Sequence, residues 1–107
     1  MTAISMNELF GRIRQWGVDR YICGPEGQGS LFTQLNKAKE ELNEAFDAAY
    51  YDNLPEIKDA IGDITVCLVL AAERAGLVFE DCVQAAWEEI KDRKGRMVDG
   101  TFVKDAK

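Results

Sequence analysis

Two apolar stripes of helical period, separated by one strong helix-start signal, constrain this chain more than any other feature. On a wheel of about 100° per residue, Leu31, Leu35, Ala38, Leu42, Ala45, Phe46 and Ala49 fall on one side of the first segment. Ile57, Ala60, Ile61, Ile64, Leu68 and Ala71 do the same in the second. Between them Asn53-Leu54-Pro55-Glu56 offers an N-cap side chain, a proline in the first turn and an acid three residues after the cap. Two amphipathic helices joined by so tight a turn must lie antiparallel, each burying its stripe against the other.

The flanking segments read in the same way. Ser5-Met6-Asn7-Glu8 has the form of a capping box, and Leu9, Phe10, Ile13, Trp16 and Val18 carry a first helix to about Tyr21. The stretch from Gly24 to Gly29 has the glycine and proline content of a connecting loop. It lacks the Gly-Lys-Ser/Thr ending of a P-loop and follows a helix where a P-loop follows a strand. Ser30 caps the second helix, expected to reach about Tyr51, and Gly76 stops the third near Ala75. The run Ile64 to Ala72 is apolar on nearly every side, which implies a central position or a subunit interface. A fourth helix is expected from near Phe79 to about Lys94, with Cys82 and Trp87 in its core-facing pattern and Gly95 as its stop. The remainder, from Arg96, reads as an irregular tail folding back over the helices. The expectation is one all-α domain over residues 1–107, a four-helix bundle-like fold completed by oligomerisation into a dimer or tetramer.

Composition removes several functions. A net charge of −6 disfavours a nucleic-acid polymer as partner, because displacing counterions from phosphates needs a basic face. With no histidine, His-rich zinc hydrolases, Ser-His-Asp triads and Glu-x-x-His di-iron bundles are excluded. Cys23, Cys67 and Cys82 are odd in number, lack metal-type spacing and read as reduced thiols. No basic-then-apolar leader and no membrane-length apolar run is present, so a cytoplasmic protein without a membrane partner is expected.

What composition leaves open is set by the acids. Glu40, Glu41 and Glu44 border the first stripe; Glu56, Asp59 and Asp63 crowd one flank of the second. Like charges at these spacings repel, and a divalent cation between them reverses the sign of that cost. Oxygen-only donors favour Mg²⁺ or Mn²⁺, ions that also bridge carboxylates to polyphosphates. Because the first cluster lies well before the turn and the second just after it, a long loop or kink within Ala48 to Pro55 is expected to level them.

The chain resembles the MazG-like members of the all-α nucleoside triphosphate pyrophosphohydrolase superfamily, marked by Glu-Glu-x-x-Glu followed by Glu-x-x-Asp before an apolar run. Here the first half reads Glu40-Glu41-Leu42-Asn43-Glu44 and the second ends Gly62-Asp63-Ile64. Similarity extends from Trp16 to Met97, where the segment from Glu89 looks like small stand-alone phage and mobile-element members. The chain departs from the family at Ala60, where the motif has glutamate. Asp59 could supply the missing oxygen, and Glu56-x-x-Asp59 is a second possible register; Asp59 with Asp63 is preferred because Asp63 abuts the apolar run.

The resemblance implies Mg²⁺-dependent hydrolysis of an NTP or dNTP to the monophosphate and pyrophosphate, as a house-cleaning enzyme. It implies Glu41, Glu44, Asp59 and Asp63 as metal ligands and Glu40 as the residue that orients or deprotonates water. Lys91, Lys94 and Arg96 would then neutralise the departing pyrophosphate, and Trp16 would stack on the base. Each has a plainer reading: solvated acids, a dipole-complementing basic helix end, and Trp16 and Trp87 as core residues. Ala60 favours the alternative of a non-catalytic helical module that binds nucleotide or protein.

Overall fold

A computed structural model describes residues 3–106. The chain forms four helices, α1 (Met6–Asp19), α2 (Leu31–Tyr50), α3 (Leu54–Arg74) and α4 (Phe79–Ile90), followed by a hairpin of β1 (Gly95–Val98) and β2 (Thr101–Lys104). The expected all-α, four-helix, bundle-like class is therefore the observed one. The caps are those the sequence offers. Ser5 accepts from the Glu8 amide, Ser30 and Thr33 complete a reciprocal capping box, and Asn53 accepts from the Glu56 amide.

α3 is the axle of the fold. α1 and α2 each pack chiefly on α3 rather than on each other, and Val69, Leu70, Ala71 and Ala72 are buried between them. The apolar run of α3 is thus central, one of the two positions its composition allowed. On the α1 side the approach is close: a Cβ at Gly17 would stand 2.5 Å from Leu70 Cδ2 and 3.0 Å from the buried Cys23 Sγ. Only a residue without a side chain fits there.

On the α2 side the seam is narrower than the stripes suggested. The inward positions are Leu31, Gln34, Ala38, Glu41, Ala45 and Ala48 on α2, and Ile57, Ala60, Ile64, Cys67, Ala71 and Arg74 on α3. These alternate at spacings of three and four, the pattern of a two-helix seam. Leu35, Leu42, Phe46 and Ala49, expected inside, are exposed, because α2 has a neighbour on one side only. Glu41, expected at the edge of the stripe, lies within it.

The C-terminal third differs most. α4 meets the body at its first turn, where Phe79 sits edge-on to Phe10 at 5.0 Å and Glu80 takes a two-pronged ion pair from Arg14 at 2.6 and 2.8 Å. Arg14 also stands 3.7 Å from Glu73, so one guanidinium ties α1 to α3 and α4. Beyond Glu80 every residue of α4 is exposed, including Cys82 and Trp87, so neither is a core residue. α4 ends at Ile90, short of Lys94, and the expected irregular tail is an antiparallel hairpin pairing Gly95 with Lys104 and Val98 with Thr101. Asp99 and Gly100, at φ 48° and 81°, make the two-residue turn that matches strand twist. α1 stops at Asp19, two residues early, because Tyr21 turns into the left-handed region at φ 60°.

If α3 is the axle, its most enclosed side chain should be the most costly to shorten. Leu70→Ala is expected to lower unfolding free energy by about 2–5 kcal/mol and Gly17→Ala by about 1–3 kcal/mol, read by denaturant titration with an unchanged m-value.

Candidate functional site

The turn between α2 and α3 is short, Tyr51 to Asn53, with Asp52 at φ 51° and no kink in either helix span. The expected long loop is absent, and the levelling it was to provide comes from chain arithmetic. In an antiparallel pair, positions equally far from the turn lie side by side; Glu41 and Asp63 are each eleven residues from Asp52. Nearer the turn the facing positions are Ala45, Ala48 and Ala60, small side chains that let the backbones close. Ala60, where the family motif has glutamate, is buried in that seam and serves packing.

Glu41 is the focus of the site. It is only 9% exposed; its Oε1 lies 3.8 Å from Lys37 Nζ, and its Oε2 is buried without a hydrogen-bond partner. Burial raises its pKa first of all. A proton shared with Glu44 and repulsion from Glu44 and Asp63 push it the same way, against the lone opposing charge of Lys37. The Cys67 thiol is likewise raised, first by burial and then by the charge of Glu41. Ionised, Glu41 has an oxygen with no donor; protonated, it can donate to Glu44.

Two recesses flank this carboxylate. Near the turn, Glu44, Asp47, Asn53 and Glu56 line a cavity of about 400 Å³. Between α1 and α3, Asp63 shares with Arg12, Ile13, Trp16 and Val66 a cavity of about 360 Å³, continuous through Ile13 and Val66 with a larger one reaching Asp59. Trp16, 41% exposed and not a core residue, offers a ring face to this groove while the Arg20 guanidinium lies 4.8 Å from its centroid.

The expected site residues divide accordingly. Glu41, Glu44 and Asp63 lie within one another's electrostatic reach, and Trp16 borders Asp63. Asp59 does not join them: it lines the α1-facing groove and exerts no comparable effect on Glu41, whereas Glu56 shares the cavity of Glu44. Glu40 is exposed and 3.8 Å from Lys37 Nζ. Lys91 is paired with Glu88 at 2.5 Å, Lys94 lines a separate cleft with Asp92 and Asp105, and Arg96 lies in β1; none lines the recesses around Glu41. The early end of α4 separates them. Two cations escaped the sequence reading as site residues, Lys37 and Arg12. Lys37 had a usable signal, since it stands three and four residues before Glu40 and Glu41.

Among the described residues, no group of three or more acid and cysteine side chains stands in ligand geometry for one ion. The donor set nevertheless suits a hard cation. It is all oxygen, and the partnerless Oε2 of Glu41 is an atom whose burial a cation would compensate. No family model, no curated protein and no solved structure matches this chain.

A carboxyl group whose folded pKa is raised contributes fully while it is protonated and costs stability as pH rises from its unfolded value through the folded one. Glu41→Gln should therefore melt above wild type at pH 7–8, the difference vanishing as pH falls below about 4.3. Millimolar Mg²⁺ should raise the wild-type midpoint and leave that of Glu41→Gln unchanged. A difference between the two proteins that persists at acid pH would remove charge burial as its cause.

Proposed function

We propose that the chain is a Mg²⁺-dependent nucleoside triphosphate pyrophosphohydrolase, cleaving an NTP or dNTP between the α and β phosphates in the cytoplasm. The observation that carries this reading is the buried, partnerless carboxylate oxygen of Glu41, held against Glu44 and Asp63 beside a groove that contains an aromatic ring. Glu41, Glu44 and Asp63 would hold the ion, with Glu56 or Asp59 as a further donor; Mn²⁺ satisfies the same oxygens. Magnesium bound there supplies the Lewis acidity that draws charge from phosphorus and lowers the pKa of water.

The chain's own side chains do the rest. Lys37 and Arg12 are cations at the acid cluster and in the groove, suited to phosphate oxygens in a site otherwise negative. Trp16 would stack on the nucleobase, and the apolar wall of Ile13 and Val66 would exclude water from its far edge. Glu40, held only by an exposed ion pair, is free to orient a water for attack on the α phosphorus and accept its proton. Lys91, Lys94 and Arg96 could neutralise the leaving pyrophosphate only if they were delivered from outside this groove, by a second copy or by movement of α4.

One observation favours a second reading. Ala60 occupies a buried seam position where the family has an acid, so a relative that binds nucleotide without turnover is the competing hypothesis. Release of pyrophosphate from a panel of NTPs and dNTPs, with and without Mg²⁺, decides between them. Metal-dependent turnover reduced at least about 100-fold by both Glu41→Gln and Asp63→Asn supports the enzyme. Nucleotide binding with no turnover, unaffected by either substitution, supports the module.

A further inference from the structure

The two long helices carry opposite flanks of opposite character. Lys37, Glu44, Glu56 and Asp63 lie on one side of the α2–α3 seam. On the other side a second row follows each seam by one residue: Leu35, Leu42 and Ala49 on α2, and Leu54, Ile61 and Leu68 on α3. In an antiparallel helix pair these two rows share a side, so they form one uncharged apolar face, widened by Phe46. All seven residues are exposed; Ile61 is 60% and Phe46 68% accessible.

The surface of the whole chain shows how much is uncovered. Its accessible area is 8504 Å², where a folded monomer of 12.0 kDa exposes about 6,000 Å². Its radius of gyration is 16.4 Å, against about 13 Å for a compact chain of this length. The excess of about 2,500 Å² is of the size each partner gives up in an obligate homodimer, well above the roughly 800 Å² per partner of a standard interface. The projecting α4 supplies part of it and the α2–α3 face another part.

We infer that this face is covered by the same face of a second copy, paired about a two-fold axis. The four-helix bundle is then completed with α2 and α3 from each chain. Two antiparallel rows of similar residues make a self-complementary surface, which an isologous contact requires and a foreign partner does not. The face has no charge to set against a copy of itself, and it leaves both acid flanks open to solvent.

Light scattering on the full chain at tens of micromolar should give twice the 12.0 kDa mass. Leu42→Glu and Ile61→Glu should each weaken association at least about 100-fold and give the single-chain mass, while Val83→Glu on α4 should leave the dimer intact. A wild-type monomer would overturn the inference, whether the face is then bare or covered by the chain's own α4. So would a dimer unaffected by Leu42→Glu and Ile61→Glu, or one dissociated by Val83→Glu alone. If a face variant loses its helical signal, the wild-type melting midpoint decides. A midpoint that rises with protein concentration supports pairing, and one independent of concentration overturns it. Mass and melting are read without substrate, so their outcome is separate from that of the hydrolysis assay.

Discussion

The structure depends on the need to sheathe α3. From Ile64 to Ala72 this helix is apolar around its circumference, and no single neighbour can cover such a cylinder. α2 takes one side through a seam of alternating spacing, and α1 takes another where Gly17 admits Leu70. The loop after α1 places the buried Cys23 against the same junction. Every other placement in the body follows from those two contacts, including the level at which acids on α2 meet acids on α3.

The seam also explains why one carboxylate stands apart from the chain's other acids. Most are on open flanks, where water screens them and repulsion costs little. Glu41 occupies an inward position, one that leucine or alanine would fill with less strain on the seam. Its charge is opposed by Glu44 and Asp63 and relieved only by Lys37. A fold that retains an acid there carries a local cost in stability, and a bound cation offsets it. The acid cluster and the apolar face lie on opposite sides of the same helix pair, so association and ion binding need not compete.

Arg14 governs the remaining element. Its forked pairing with Glu80, together with Phe10 against Phe79, fastens only the first turn of α4. From Asp81 onward the helix carries Val83, Trp87 and Ile90 on an uncovered stripe, and the hairpin beyond it is exposed throughout. The hairpin itself was legible: Asp99-Gly100 between Met97-Val98 and Phe102-Val103 is a strong short-range turn signal. The surrounding lysines and the trailing position after a helix obscured it. The end of α4 was harder to read, since Lys91 to Lys94 suits a helix terminus as well as a loop.

Helix number, order and caps were determined by the sequence alone, because Ser5, Ser30, Asn53-Pro55 and Gly76 act on their own backbone and need no distant partner. The apolar run of α3 likewise dictated its central place, and the acids at Glu41 and Asp63 were visible by spacing. Which side of each stripe is buried was decided only in three dimensions. A wheel shows every apolar residue on a face, but burial depends on how many neighbours arrive; α2 received one, so Leu35, Leu42 and Phe46 remained outside while Glu41 went in. Tertiary structure likewise separated Asp59 from Glu44 and Lys94 from the groove, because sequence spacing describes one helix at a time and a site is made between helices.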